Sequence, residues 1–235
     1  SMLKSGRIEG AVVVQRDEEK PWMPVVRLAK TPKEVASSAG SIYTHAPIVE
    51  GLIEAMSKGL KKVAVVGTSC NIDAVHNMAT LPSGLIGIVP KAEAITLGLF
   101  CTKSYNYPGL VEFLKNEGVD IKDVTRFAIA GGKLTADHKD GSSEWPVKDL
   151  EHISSSSCDY CHDMNCRNSD ISCGNVGSDE GWTTLLLLTE RGEKVFRQAV
   201  KDGSIEAEPI DEKDLRAVDN LARFKAARWY KMKSH

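Results

Sequence analysis

Two thiols separated by two residues stand in Cys158-Asp159-Tyr160-Cys161-His162-Asp163. That spacing lets both sulfurs turn toward one metal or cluster. The chain then runs through Asp170-Ile171-Ser172 to Gly174, Gly177, Ser178, Gly181 and Trp182. Glycines at that density allow a backbone to approach a large flat ligand or a phosphate. The segment reads as a cofactor site.

Two further cysteines extend it. Cys70 follows the apolar run Val63–Val66 in the loop Gly67-Thr68-Ser69-Cys70, and a helix beginning near Asn71 would set its thiol at a helix N-terminus, which favours the thiolate. Cys101 ends the run Ile95–Phe100. If both runs are parallel strands of one sheet, both thiols lie at carboxyl edges, where open α/β sheets form their crevices. Taken singly, either cysteine reads first as a small buried hydrophobe at a strand end.

Three metal chemistries compete for these residues. Cys158 to His162 fits the C-x-x-C-H pattern of covalent haem attachment, but no export signal accompanies it. A structural zinc on Cys158, Cys161, Cys173 and either His162 or Cys166 is chemically sound but leaves Cys70 and Cys101 unexplained. An iron–sulfur cluster on Cys70, Cys101, Cys158 and Cys161 accounts for the strand-end positions. It leaves Cys166 and Cys173 as spare thiols or replacement ligands.

Composition narrows the setting. The chain has 235 residues, 42% of them hydrophobic, enough for a real core without disulfide staples. A net charge of -2 argues against general electrostatic binding of nucleic acid. No apolar run reaches the roughly 20 residues of a membrane crossing. Six cysteines without a secretory leader read as free thiols, so a reducing cytoplasm is expected. Ser1 to Gly6 looks like the tail of a helix, an expectation that the native chain starts earlier.

The elements that would position the thiols alternate. Strands are expected at Ile8–Val14, Val25–Ala29, Val63–Val66, Ile86–Val89, Ile95–Phe100 and Thr183–Thr189, and a polar hairpin at Lys133–His138 and Glu144–Val147 turns on Gly141. Thr31, Pro32 and Glu34 make a capping box. Further helices are expected at Pro47–Lys58, from Pro108 to Gly118, and at Glu193–Lys201. This rhythm implies an α/β fold on a parallel or mixed sheet with flanking helices. A last helix, from about Glu212 to Lys231, carries Lys213, Arg216, Arg223, Lys225, Arg228 and Lys231. That row reads first as a solvated face, and otherwise as a dock for an acidic partner or anionic coenzyme.

The ordered motifs V-G-T-S-C-N-I-D-A-V at Val66–Val75, G-L-F-C at Gly98–Cys101, C-D-Y-C-H-D, and S-D-I-S-C-G-N-V-G-S-D-E-G-W-T-T resemble the coenzyme F420 hydrogenase/dehydrogenase β-subunit family. The likeness runs from about Ile8 to Ile210, so residues 1–210 read as a flavin and iron–sulfur oxidoreductase domain and 211–235 as a charged helix beyond it. The resemblance implies FAD, a 4Fe-4S cluster on Cys70, Cys101, Cys158 and Cys161, and the deazaflavin F420 as substrate. Ser41-Ile42-Tyr43-Thr44-His45-Ala46-Pro47 and Gly131-Gly132-Lys133 look like its flavin-side segments. Tyr43 is then placed to stack, Thr44 and Lys133 to meet ring oxygens or phosphate, and Gly177, Ser178 and Trp182 to line the ring. The sequence departs from the family in lacking an upstream glycine-rich helical segment and in carrying Leu188 where an arginine is usual.

The implied work is a change of electron currency, with single electrons on the cluster side and hydride on the deazaflavin side. The partner would be a hydrogenase, formate dehydrogenase or similar subunit. No side chain is assigned as acid or base, and His162 or Asp163 reads as a proton relay or as support for the cluster. The alternatives are a zinc-stabilised interaction module without redox activity, and a relative that uses ferredoxin or another acceptor.

Overall fold

The computed structural model describes residues 2–80 and 93–232, the last four by backbone alone. Its central sheet takes in β1 (Gly10–Arg16), β2 (Pro24–Ala29), β3 (Lys62–Thr68), β4 (Glu93–Leu99), β8 (Ile171–Gly174) and β9 (Thr184–Leu187), in the order β2-β1-β3-β4-β8-β9. The inner pairs β1–β3, β3–β4 and β4–β8 are parallel, and the two edge pairs are antiparallel. Parallel inner strands need both faces covered, which explains their near-continuous apolar sequence.

One face of the sheet packs on α2 (Ile48–Ser57) and α3 (Ser69–Thr80), joining Val12, Val63 and Val65 to Ile48, Leu52, Ile72 and Val75. Gly51 brings α2 down onto the sheet: a Cβ there would sit 2.4 Å from Val26 Cγ1. The other face buries Ala11, Val13, Ala64 and Ile95 against Val35 of α1 (Pro32–Ala36) and Val195 of α6 (Glu190–Lys201). The opposite directions of Val12 and its neighbours Ala11 and Val13 are the two-residue period of a strand. Thr31 and Glu34 form the expected capping box.

A second sheet, β5 (Val124–Ala130), β6 (Lys133–His138) and β7 (Gly141–Pro146), is an antiparallel meander. It packs with α4 (Tyr107–Asn116) around Trp22, Phe127, Leu134, Trp145 and Leu150. The polar hairpin is thus the outer two thirds of this sheet. Strand β5 was not expected, because a register shift between Val124 and Arg126 breaks the alternation that marks a strand.

Other boundaries move for local reasons. Helix α3 begins at Ser69 rather than near Asn71. Helix α6 starts at Glu190, earlier than expected, since Thr189 caps it by accepting from Gly192 N–H. The strand expected at Ile86–Val89 lies outside the described residues. Helix α7 (Glu212–Met232) closes the chain and packs on α5 (Ser157–Tyr160). Among the described residues no helix is long and apolar enough to cross a membrane.

Candidate redox site

The parallel register pairs Thr68 with Leu99, so β3 and β4 end level with one another. Cys70, in the first turn of α3, and Cys101, two residues past β4, therefore lie at the same carboxyl edge. Cys158 sits in α5, and Cys161 closes that turn through its N–H to Cys158 O, 3.3 Å.

The segment from Phe100 to Asn106 is laced to its neighbours almost residue by residue. Phe100 N–H donates to Cys173 O (2.8 Å), Cys101 N–H to Met164 O (2.9 Å), Tyr105 N–H to Tyr43 O (2.8 Å) and Asn106 N–H to Ile153 O (3.0 Å). In return Ser155 N–H donates to Ser104 O at 3.0 Å. Three thiols donate to nearby carbonyls: Cys101 to Lys103 O (3.7 Å), Cys158 to Ser104 O (3.8 Å) and Cys161 to Asp163 O (3.6 Å). Lys103 adds ion pairs to Glu151 and to Asp159 of α5.

The thiols act on one another electrostatically. Burial pushes the Cys101 thiol up to about 12, and the neighbouring thiols of Cys158, Cys70 and Cys161 push the same way, while the Lys225 ammonium opposes them. Cys158 is raised by burial, with Cys70 and Cys161 again adding to the rise and the Ser104 carbonyl and Lys225 opposing it. Among the described residues no three His, Cys, Asp or Glu side chains are grouped to hold a metal ion. A four-iron cluster takes one thiolate per iron, so its ligands stand further apart than those of a lone ion. Four thiols would supply the donor set that such a cluster needs, one per iron.

Cys166 and Cys173 stand apart from this set. Cys166 is 1% exposed, adopts φ 53°, and fills the space beside Gly98, where an added Cβ would lie 2.4 Å from its sulfur. Burial raises its thiol to about 12. Cys173 sits on β8 with its sulfur against Gly98 O at 3.4 Å. Gly98, one of the motif glycines, thus makes room for a side chain of this same chain.

Of the residues expected to meet a flavin, Tyr43 and Lys133 lie at the end of β5. Tyr43 Oη accepts from Ile129 N–H (3.0 Å), and Asn175 Nδ2 donates to Ile129 O (3.4 Å). Gly131 and Gly132, at φ 56° and 76°, make the two-residue turn into Lys133 that only glycine enters without strain. Thr44 is buried with its hydroxyl unpartnered among the described residues, an orphan of the kind a bound polar group would satisfy. Ser178 Oγ donates to Asn175 O and Trp182 O, closing a turn that leaves Trp182 43% exposed. Lys133 is exposed and paired with Glu144 at 2.8 Å. Gly177, at φ 78°, meets α7: a Cβ there would lie 2.6 Å from Asp214 O. Its close approach is to backbone of this chain.

Three residues of the site escaped the sequence. Asn175 lies inside a recognised motif, but nothing marks it from its neighbours. Tyr105, 1% exposed, lies between the two halves: burial raises its phenol to about 12, and Tyr43, Cys101 and Cys158 add to the rise. Lys225 corrects the expectation of a solvated helix face. It is 2% exposed, and its ammonium donates to Cys101 O (2.7 Å) and Asp163 O (2.8 Å). The signal was its spacing, seven residues after the buried Val218 on the same helical stripe.

Known proteins resemble this chain in both sequence and fold. The family model for the C-terminal part of the coenzyme F420 hydrogenase/dehydrogenase beta subunit matches residues 60–213, and the model for its N-terminal part matches residues 1–53. The chain is 32% identical over 213 residues to the coenzyme F420 hydrogenase subunit beta of Methanococcus voltae, covering 89% of this chain and 75% of that protein. It is 36% identical to an uncharacterized protein of Methanocaldococcus jannaschii and 32% identical to that organism's coenzyme F420-dependent sulfite reductase, each over 95% of this chain. It spans only 62% and 36% of those two proteins. A chain of the F420-reducing NiFe hydrogenase complex from Methanosarcina barkeri superposes with a TM-score of 0.92 at 30% identity, over 98% of this chain and 80% of that one. Motif, fold and relatives agree, and the chain belongs to the coenzyme F420 hydrogenase/dehydrogenase beta-subunit family.

Proposed function

We propose that this chain is an electron-transfer oxidoreductase subunit that holds a 4Fe-4S cluster on Cys70, Cys101, Cys158 and Cys161 and an FAD beside Tyr43, Thr44 and the Asn175–Trp182 turn, and that its substrate is coenzyme F420. The observation that supports the reading is geometric: Cys70 and Cys101 follow strands that end level at one carboxyl edge, Cys158 Sγ donates to Ser104 O in the loop after Cys101, and Lys225 ties Cys101 O to the Asp163 O that accepts from Cys161 Sγ. When bound, the two groups supply single-electron transfer and its conversion to hydride transfer. The chain's own work is placement: the Phe100–Asn106 segment holds Cys101 against α5, and Tyr105 joins that segment to Tyr43 through its N–H.

The orphaned Thr44 hydroxyl supplies a donor at the flavin position. Lys133 supplies a positive charge at the β5–β6 turn, held upright by Glu144. On this reading residues 1–210 carry the cofactors, and α7 is tied to them through Lys225. A hydrogenase, a formate dehydrogenase or a similar subunit supplies or takes the single electrons. Six free thiols suit the reducing cytoplasm.

The test is an anaerobic assay with a reduced viologen as electron donor and oxidised F420 as acceptor. Loss of the coenzyme's visible absorbance, dependent on the protein and on added FAD, is the expected outcome. Protein that carries both cofactors yet reduces ferredoxin or dye and leaves F420 untouched would move the chain to the ferredoxin-using branch of the reading.

A further inference from the structure

Lysine is among the residues least often buried without a partner, because an ammonium removed from water is costly unless an anion compensates it. Lys225 is 2% exposed, and among the described residues no carboxylate pairs with it. Two of its three N–H donors go to the carbonyls of Cys101 and Asp163. Those carbonyls belong to the two loops that carry the thiols: Cys101 is itself in the set, and the Asp163 carbonyl also accepts from Cys161 Sγ. The charge acts on both Cys101 and Cys158. One turn further along α7, Arg228 Nη2 donates to Thr102 O at 3.3 Å, so the helix turns a cationic face to the same loop.

We infer that Lys225 is a positioning residue whose fixed positive charge stabilises the thiolate-ligated cluster and favours its reduced form. This rests on the proposed cluster. A cluster on four thiolates is net anionic and gains one more negative charge when it accepts an electron, with no bond made or broken. Net charge and hydrogen bonding near the sulfurs set such potentials. A neighbouring ammonium therefore favours the added electron, and its removal makes the cluster harder to reduce.

The experiment is an anaerobic redox titration of iron-loaded protein, with dithionite as the electron donor and electron paramagnetic resonance of the reduced cluster as the readout. The wild type is compared with Lys225→Gln, which keeps a polar donor but loses the charge, and Lys225→Arg, which keeps the charge. Lys225→Gln is expected to lower the one-electron reduction equilibrium at least tenfold, a shift of about 59 mV to more negative potential. Lys225→Arg is expected to retain most of the wild-type value. If Lys225→Gln fails to load iron while Lys225→Arg loads, the charge role is also supported. Equal potentials in wild type and Lys225→Gln, or equal loss of iron from both variants, would overturn it in favour of a tether that only packs. Absence of iron from the wild type would remove the cluster reading itself, and the Lys225 assignment with it.

Discussion

Cys101→Ala is expected to fold and to purify without its iron. The backbone around it is held independently of the thiol, by Phe100 N–H to Cys173 O and Cys101 N–H to Met164 O. Loss of the sulfur therefore removes a ligand without releasing the loop. Among the four thiols Cys101 is the one with least recourse: Cys70 is exposed, where water can take the vacant iron position, but Cys101 lies under Lys225 and the Asp163 loop. The expected result is near-complete loss of iron and acid-labile sulfide per chain, with F420 reduction lost alongside and the circular dichroism spectrum kept. Cys173→Ala, whose sulfur donates to Gly98 O, is expected to keep its iron. Wild-type iron in Cys101→Ala, or its loss from Cys173→Ala instead, would show that the ligand set is wrong.

The largest effect on stability is expected at Asp170, far from any chemistry. Its buried carboxylate accepts from Thr96 N–H (2.8 Å), Thr96 Oγ1 (3.0 Å), Thr189 Oγ1 (2.6 Å), and Arg191 through Nε (3.0 Å) and Nη2 (2.6 Å). It thereby joins β4, β8 and the start of α6. Asp170→Ala strands two buried donors, Thr96 N–H and Thr96 Oγ1, at about 1–3 kcal/mol each and leaves Thr189 and Arg191 to water, so a loss of about 2–5 kcal/mol is expected. Against a domain stability of about 5–15 kcal/mol, that is a large fraction. Arg191 is 45% exposed and regains water, which keeps the figure from rising further.

The same carboxylate gives a pH dependence of known sign. Burial pushes Asp170 up, but Arg191, Thr189 and Thr96 outweigh it and hold the group below the ordinary aspartate value of 3.8. A depressed folded value means that the unfolded chain binds the proton more readily. The stabilisation is therefore fully present above that ordinary value and is lost as the pH falls through the folded one. Chemical denaturation of the wild type is expected to show this acid limb, and Asp170→Asn to show a shallower one. Equal stability of wild type and Asp170→Ala at neutral pH would contradict the account.

The placement of Cys70 and Cys101 was legible because local sequence and fold agree where they stand. A β-branched run followed by Gly-Thr-Ser-Cys says strand, then helix, and β3 passes directly into α3 at Ser69, which carries Cys70. The second run delivers Cys101 to the same edge because parallel strands share direction, which needs no knowledge of distant residues. What escaped depends on tertiary context. Strand β5 hides behind a bulge, and β8 is four residues long, too short for a period to show. Lys225 lies 124 residues from Cys101 in sequence, and a lysine among many on a charged helix looks solvated until its stripe is traced from Val218. The motif glycines gave a mixed lesson. Gly131 and Gly132 serve a turn beside the flavin-side residues, whereas Gly98 and Gly177 admit Cys166 and the α7 backbone.

The most direct test of the central claim is quantification of iron, acid-labile sulfide and released flavin in the anaerobically purified chain, with zinc measured in the same sample. The account predicts iron and sulfide in the ratio of a single four-iron cluster, with one FAD per chain. Zinc with neither iron nor flavin would contradict it and would identify the thiols as a structural metal site.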